Sequence, residues 1–360
     1  MKTPRLVFVV LISAMGISMA DEDPPINRAQ FIGTHNSYHI APSPKVRHLI
    51  ETVAKGEGDA INCTQRPLTE QLEKLSIRHF ELDLYADPKG GLFSNPLAAT
   101  LVGEINPHPD PLWKQPGLKI LHSPDFDFRT TVPTFRKALQ ELAAWSKAHP
   151  KHEPLMILLE LKQDSFSPKT RPLPFDEAQL KTVETEILAE LAKEQILTPD
   201  QVRGDFPTLH DAVTKRGWPK LSEAAGKFIF CLDNEGVVRD RYLALSPAKN
   251  LTGRLLFTSV PRDHPAAAWM KRNDPVGGFD EIQSLVKTGF MVRTRADGNL
   301  KEVRAKDYTR FKKAVASGAQ WISTDAPEEI PEFPGYRVGW ENGRVWQLRS
   351  VGLWPTKPME

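Results

Sequence analysis

The sequence is poor in several features that would assign it to a class at once. Two cysteines in 360 residues exclude a small scaffold held together by many disulfides. A formal net charge of +2 provides no overall field for nucleic acid, so no nucleic-acid partner is expected. The chain also lacks solenoid repeats, a Walker-type phosphate loop, a G-x-S-x-G elbow and an H-E-x-x-H helix. What is left is a globular chain long enough to bury a large core.

The two cysteines allow two interpretations. In an oxidising compartment Cys63 and Cys231 could form a disulfide bridge. Cys231 also lies inside the apolar run 228–232, which is typical of a buried strand, so an ordinary core thiol explains it equally well.

The N-terminus has the layout of a secretory signal peptide. Lys2 and Arg5 precede an apolar run, 6–12, that continues weakly to Ala20, and small residues at 18–20 supply a cleavage point before Asp21. An uncleaved membrane anchor is the alternative, but the run is short for a membrane span, and no later run is long enough for one. A signal peptide over residues 1–20 therefore predicts a secreted or periplasmic protein.

Short apolar runs recur along the chain and alternate with helix-like stretches. The predicted strands are 31–36, 80–85, 118–122, 155–161, 228–233, 255–260, 290–295 and 321–325, and the predicted helices are 67–75, 132–148, 177–193 and 308–317. Strands alternating with helices favour parallel pairing through right-handed crossovers. The pattern predicts an α/β fold, a (β/α)₈ TIM-type barrel over residues 21–335, whose active site would lie at the carboxyl ends of the strands. An open, doubly wound sheet is the alternative.

The tail, residues 336–360, is predicted to form a β-hairpin that turns at Asn342-Gly343 and packs on the outside of the barrel. Its tryptophans fit core packing better than carbohydrate binding.

Carboxylates and an amide lie near the ends of three predicted strands. Glu81 and Asp83 are two residues apart on one strand and therefore point to the same face. With Glu160 and the side-chain oxygen of Asn36 they form an all-oxygen set, which favours Ca²⁺, or less readily Mg²⁺, over zinc. The alternative is that Arg78, Lys162 or Arg293 neutralises the acids through ion pairs.

Proton transfer and anion binding have candidates at the same strand ends. His35 and His122 form the natural acid/base pair because histidine titrates near neutral pH. Arg293 and Arg295 share a face and could hold a phosphate or sugar hydroxyls, although ion pairing with Asp297 or Asp325 explains them equally well. The other histidines are taken as structural, namely His39, His48, His79, His108, His149, His152, His210 and His264.

At these residues the chain resembles the catalytic domain of calcium-dependent phosphatidylinositol-specific phospholipase C, in its bacterial secreted branch. The likeness lies in short blocks, in the family's order, from about residue 30 to 327. These blocks are His35-Asn36-Ser37-Tyr38, Glu81-Leu82-Asp83, His122, Pro154 to Glu160, Arg293-Thr294-Arg295-Ala296-Asp297, and Ser317 to Gln320 with Ser323-Thr324-Asp325.

The resemblance implies a catalytic barrel with calcium ligands Asn36, Glu81, Asp83 and Glu160. It implies that the inositol 2-hydroxyl attacks the phosphorus, with calcium stabilising the developing charge and a ligand carboxylate as a candidate acceptor of the hydroxyl proton. His35 would steady the phosphoryl oxygens, and His122 would protonate the departing diacylglycerol oxygen and could then activate water to open the cyclic phosphate. The expected substrate-binding residues are Lys162, Arg293, Arg295 and Asp325.

The segment 84–117 is longer than its counterpart in the eukaryotic enzymes of this family. We name it the rim insert. Its apolar residues, among them Phe93, Leu101 and Trp113, either enter a lipid interface or pack as a lid on the barrel. No accessory lipid-targeting module is expected, so contact with a membrane would be transient and would use barrel loops.

Three functions are weighed. The first is cleavage of an inositol phospholipid, or of a soluble glycerophosphodiester relative, by a monomer. The second is a glycerophosphodiester phosphodiesterase or a phospholipase D-like enzyme of the same barrel type. The third is a non-catalytic, calcium-dependent lipid- or sugar-binding barrel, against which the two histidines argue because binding alone needs no proton transfer.

Overall fold

The computed structural model describes residues 23–164 and 169–349, apart from the side chain of residue 342, so the predicted signal peptide lies outside the described residues. The strands are β1 (Ala29–Thr34), β2 (His79–Tyr85), β3 (Lys119–Ile120), β4 (Leu155–Leu161), β5 (Phe228–Leu232), β6 (Leu256–Thr258), β7 (Trp269–Lys271), β8 (Met291–Arg295), β9 (Trp321–Thr324) and β10 (Trp346–Leu348). The α-helices are α1 (Pro44–Val53), α2 (Glu57–Ala60), α3 (Leu68–Lys74), α4 (Leu97–Val102), α5 (Phe135–Ala148), α6 (Glu177–Glu190), α7 (Pro199–Arg203), α8 (Leu209–Asp211), α9 (Gly236–Ala244), α10 (Phe279–Thr288), α11 (Lys301–Ala305) and α12 (Thr309–Ser317).

Eight parallel strands form a nearly closed barrel in the order β6-β5-β4-β2-β1-β9-β8-β7. The two end strands meet through a single parallel bridge between Ser259 and Trp269. The strands are almost wholly buried, as expected of strands covered on one face by helices and filled on the other by side chains. The predicted TIM-type barrel is confirmed.

The four predicted helices correspond to α3, α5, α6 and α12, and side-chain caps explain where two of them begin. The Thr134 hydroxyl accepts a hydrogen bond from Lys137 N–H at the start of α5, and Asp176 does the same for Gln179 N–H at the start of α6. Among the described residues, no helix has both the length and the apolar character that a membrane span requires.

One predicted strand was wrong, and one barrel strand was missed. The run 118–122 contains only the two-residue β3, which pairs antiparallel with β2 outside the barrel order. The barrel strand that sequence reasoning missed is β7, which directly follows an alanine run. This strand has only three residues and is too short to show alternation. An apolar run of a few residues does not specify whether it pairs parallel or antiparallel, because a strand buries the same side chains in either ladder.

The strands β3 and β10 lie outside the barrel order and pair along the seam where β1 and β2 separate. The barrel strands β1 and β2 pair only at Gly33 and His79. A Cβ on Gly33 would lie 2.2 Å from the His79 ring, so glycine is what allows the pairing. Beyond that point β3 covers the carboxyl end of β2, and β10 covers the amino half of β1. Because β3 occupies this seam, His122, two residues after the end of β3, is carried toward the carboxyl ends of the strands.

The tail differs from the predicted hairpin. In its described part, 336–349, Glu341–Gly343 forms a 3₁₀ turn, and β10 pairs antiparallel with β1 instead of with a second tail strand. The edge of β1 has unpaired backbone groups with which β10 forms hydrogen bonds. An isolated two-stranded hairpin in the tail would be only marginally stable. Tyr336 and Val338 are buried against the barrel core.

Both cysteines are free thiols. Cys231 is wholly buried on β5, and burial raises the pKa of its thiol well above the usual value. Of the two interpretations of Cys231, a disulfide with Cys63 or an ordinary core thiol, the structure agrees with the core thiol.

Candidate active site

Three carboxylates predicted to share a site, Glu81, Asp83 and Glu160, meet at the carboxyl end of the barrel. Asp83 on β2 lies beside Glu160 on β4 in the parallel ladder, and Glu81 shares their face because side chains alternate along a strand. Glu81, Asp83 and Glu160 each offer an oxygen, and these three oxygens lie within 4.8 Å of one another. Three carboxylates this close repel one another unless cations lie among them.

Asp83 is the most constrained member of this carboxylate cluster. Its side chain is completely buried, and neither oxygen accepts a hydrogen bond from a described residue. The Lys162 ammonium lies 3.2 Å from an oxygen of Asp83 and 3.2 Å from an oxygen of Glu160. Burial raises the pKa of both carboxyl groups, Asp83 and Glu160. A buried carboxylate with two unused acceptors among oxygen ligands fits a hard divalent cation.

Arg293 lies beneath the cluster. Its guanidinium donates hydrogen bonds to Glu81 and to the side chain of Asn273, and its side chain is 1% exposed. The ion pairs weighed from the sequence therefore form with Arg293 and Lys162, whereas Arg78 pairs with Glu153. Arg293 holds Glu81 in place and presents almost no surface to a substrate.

Asn36 follows His35 in a left-handed conformation, with φ of 46°. The turn is tied to β2, because Ser37 N–H donates to the carbonyl of Glu81 at 3.0 Å and the Ser37 hydroxyl accepts from Glu81 N–H at 2.8 Å. The side-chain oxygen of Asn36 lies 3.5 Å from the Tyr38 hydroxyl. Its membership of the metal site stays a prediction.

His35 is held by a carboxylate from the last barrel strand. Its Nδ1 donates to Asp325 at 2.7 Å, and its Nε2 lies 3.7 Å from Glu81. Arg295 reaches the same pair, with a guanidinium nitrogen 3.2 Å from Asp325. Although burial raises it, the guanidinium of Arg295 and the hydrogen bond from His35 hold the pKa of Asp325 below the usual value. The predicted ion pair of Arg295 with Asp325 is present.

Asp297 supports this arrangement from below. Its carboxylate accepts hydrogen bonds from Asp325 N–H at 2.7 Å, from the Thr324 hydroxyl and from the Tyr336 hydroxyl at 3.2 Å. Burial and the neighbouring Asp325 charge raise the pKa of Asp297 to about 7. The described tail thus contributes a side chain, Tyr336, to the layer that positions Asp325.

His122 is anchored by Asp127, a residue that sequence reasoning missed. His122 Nδ1 donates to Asp127 at 2.8 Å, while its Nε2 makes no hydrogen bond with any described residue and the side chain is 32% exposed. Burial lowers the pKa of His122, but the Asp127 carboxylate outweighs it, so the net shift is upward. The other face of Asp127 meets His39, which was taken as structural.

Lys271 on β7 and Asp233 after β5 were also missed. The Lys271 ammonium donates to the Asp233 carboxylate at 2.7 Å, and the Asp233 charge acts on Glu160. Asp233 had a signal in the sequence, because it ends an apolar run as Glu160 does. Lys271 had none, since β7 itself went unrecognised.

The rim insert is partly a lid. Phe93 and Trp113 are buried in a small apolar cluster with residues of α1 and α4, while Leu101 and Ile105 expose 60% and 95% of their surfaces. The aromatic residues pack on the barrel, and the two aliphatic ones face outward.

Comparisons with known proteins agree with this geometry. The sequence model of the family described as "Phosphoinositide phospholipase C, Ca2+-dependent" matches residues 25–349. A comparison with curated protein sequences found no significant match. The structure is similar to a calcium-dependent phosphoinositol-specific phospholipase C from Pseudomonas sp., with a TM-score of 0.55 and 13% identity over 90% of this chain and 95% of that chain. A Ca²⁺-dependent phosphatidylinositol-specific phospholipase C from Streptomyces antibioticus gives a TM-score of 0.55 and 15% identity over 87% of this chain and 98% of that chain.

At these identities the solved structures establish the barrel fold, and the family match rests on the sequence. That match includes every barrel strand and every candidate site residue. The chain therefore belongs to the calcium-dependent phosphoinositide phospholipase C family, and it is a phosphodiesterase of the phosphatidylinositol-specific phospholipase C type.

Proposed function

We propose that this enzyme cleaves phosphatidylinositol-type lipids to diacylglycerol and a cyclic or open inositol phosphate, with two histidines in proton transfer and phosphoryl contact. One observation carries the proposal. His35 and His122 each have Nδ1 fixed by a buried aspartate, Asp325 and Asp127, and each keeps Nε2 clear of that anchor. A histidine held in this way is oriented in one tautomer to exchange a proton at Nε2.

His122 is the proposed general acid for the departing diacylglycerol oxygen. It is the more exposed of the two histidines, and Asp127 favours its protonated form, which is the form an acid needs before the bond breaks. In a second step the same Nε2, now neutral, takes a proton from the water that opens the cyclic phosphate. His35 and Arg295, both held by Asp325, form the side of the site whose N–H donors steady the phosphoryl oxygens.

Asn36, Glu81, Asp83 and Glu160 are the proposed ligands of Ca²⁺, with Mg²⁺ the less favoured ion. The two unused acceptors of Asp83 support this assignment. When bound, the ion supplies Lewis-acid stabilisation of charge that develops on the phosphate. In the metal-free protein the Lys162 ammonium offsets part of the charge of Asp83 and Glu160, and once released from them it is available to the phosphate of the substrate.

The test is phosphorus NMR of the purified protein with phosphatidylinositol, in the presence of Ca²⁺ and again with excess chelator. A cyclic inositol phosphate that forms only with Ca²⁺ is the expected product. Cyclic product that persists in chelator would contradict the metal assignment and keep the reaction. Free glycerol phosphate, or a cyclic phospholipid, would instead support the glycerophosphodiesterase or phospholipase D-like alternative.

Variants separate catalysis from binding. His35→Ala and His122→Ala are expected to lose at least about a hundredfold in turnover while binding vesicles of phosphatidylinositol as the parent does. His152→Ala is the control, because His152 lies away from the site and hydrogen-bonds Ser146 and the carbonyl of Glu153, before the start of β4. If both site variants keep the parent's activity, histidine catalysis is wrong.

We also propose that the enzyme is secreted or periplasmic and meets its lipid substrate transiently as a monomer. The charged, apolar and small-residue segments of residues 1–20 support export. Mass spectrometry of the protein recovered outside the cytoplasm should give a mature chain that begins at Asp21, and an uncleaved N-terminus would contradict this.

A further inference from the structure

A buried histidine lies behind the acid of the candidate site. Asp127 is 3% exposed and His39 is 2% exposed. His39 Nε2 lies 2.8 and 2.9 Å from the two oxygens of Asp127, and one of those oxygens also accepts the hydrogen bond from His122 Nδ1. One carboxylate thus joins two imidazole rings, and only the outer ring, His122, reaches the surface.

The partners of His39 determine its protonation. Its Nδ1 lies 2.9 Å from the carbonyl oxygen of Cys63, which can only accept a hydrogen bond, so Nδ1 carries a proton. Its Nε2 faces both oxygens of a carboxylate, so this nitrogen also donates. A ring that donates from both nitrogens is an imidazolium. In agreement, although burial lowers it, the Asp127 carboxylate raises the pKa of His39 to about 10.

The charges around this pair leave His39 as the cation that compensates Asp127. The groups acting on Asp127 are His39 and His122, which together hold its pKa below the usual value in spite of its burial. His122 is acted on by Asp127 and Asp83, which favour its charged form, and by Lys162, which opposes it. Cys63, whose sulfur lies 4.0 Å from His39 Nδ1, is a half-buried thiol with a raised pKa and adds no charge near neutral pH.

We propose that His39 is a positioning residue for the reaction: its imidazolium clamps Asp127 and balances its charge, so that His122 is held at Nδ1 by a carboxylate that is already neutralised. An uncompensated buried carboxylate would hold the proton of His122 too tightly, and a weaker acid donates more slowly to a leaving oxygen. This inference rests on the proposed role of His122 as general acid.

Two variants test the clamp. His39→Gln keeps an N–H donor for Asp127 but removes the positive charge, and His39→Leu removes both. We expect the pKa of His122, followed by NMR of its ring carbons, to rise by one unit or more in His39→Gln, with the alkaline limb of the kcat/KM profile moving by the same amount. Turnover at pH 7 should fall about tenfold, and further in His39→Leu, where Asp127 also loses its donor.

The control is His152→Gln, a buried histidine changed in the same way away from the site, which should move neither the pKa of His122 nor the pH profile. A folded His39→Gln protein with an unchanged pKa of His122 would overturn the proposal. If neither variant folds, ring-nitrogen NMR of the wild-type protein at pH 8 decides: a neutral His39 would overturn it. If His122→Ala is as active as the parent, the proposed role of His122 as general acid is wrong. The pKa of His122 in His39→Gln would still show whether His39 balances the charge of Asp127.

Discussion

Replacing Asp83 by asparagine is expected to stabilise the metal-free protein and to abolish its response to calcium. Asp83 is wholly buried, makes no hydrogen bond with a described residue and is close to two other carboxylates. The cation that compensates it most is the Lys162 ammonium at 3.2 Å. Asparagine has nearly the same shape and carries no charge, so the substitution isolates the electrostatic cost of a side chain arranged for a cation.

The magnitude follows from two opposing terms. A unit charge pair at 3.2 Å gains ~5 kcal/mol at an effective dielectric constant near 20. Removing a carboxylate from water costs several kcal/mol, and repulsion from Glu81 and Glu160 adds to that cost. Lys162 keeps its contact with Glu160 in the variant, so no unpaired buried charge is left. We expect a net stabilisation of about 1 to 2 kcal/mol, or a rise in melting temperature of roughly 2 to 5 °C.

The assay is thermal unfolding with chelator and again with saturating calcium. The wild-type protein should melt higher with calcium, by about 2.7 kcal/mol of stabilisation at a hundred times the dissociation constant, and Asp83→Asn should not respond. Asp125→Asn is the matched control, because Asp125 is equally buried but accepts hydrogen bonds from Leu97 N–H, Thr170 N–H and the Thr170 hydroxyl. It should lose about 1 to 3 kcal/mol and keep the calcium response.

The reasoning is refuted if Asp83→Asn melts as low as Asp125→Asn without calcium. It is also refuted if Asp83→Asn keeps the wild-type shift with calcium, since the cluster would then bind the ion without its most buried member.

Three further substitutions test other parts of the structure. Lys162→Met should tighten calcium binding about tenfold by calorimetry while lowering activity, because the ammonium competes for two ligand carboxylates; weaker binding would contradict this. Gly33→Ala should lower the free energy of unfolding in urea by about 2 to 3 kcal/mol, because its Cβ would meet the His79 ring. Gly298→Ala, where a Cβ enters open space, should change it little, and equal losses in the two variants would refute the seam argument. The raised pKa of His39 gives stability that is complete below about pH 6.5 and is lost as the pH rises toward 10, at up to ~1.4 kcal/mol per pH unit; His39→Gln should be flatter over that range, and an identical slope would count against a charged His39.

Much of the barrel could be predicted because its strands are read from local pattern. Apolar runs of five to seven residues with helices between them leave few folds other than a parallel barrel. The carboxylate cluster was predicted for the same reason, since alternation along β2 places Glu81 and Asp83 on one face, and parallel neighbours bring Glu160 beside them.

The charge partners in the site could not be predicted. Asp127 lies five residues after His122 in an irregular segment, and no pattern relates it to His39, which is 88 residues away. Likewise, Arg293 and Lys162 had equal claims as substrate ligands or ion-pair partners until their contacts were seen.

The sequence by itself determined that Glu81, Asp83 and Glu160 reach the carboxyl end of the barrel, because side chains alternate along a strand and the intervening helices favour parallel pairing. Only the tertiary structure decided how those side chains are held. The open seam between β1 and β2 admits β3 and so carries His122 into the site, and Asp127 and Asp325 then orient the two histidines. Such contacts join residues far apart in the chain, and they form because buried charges need partners wherever the fold brings them.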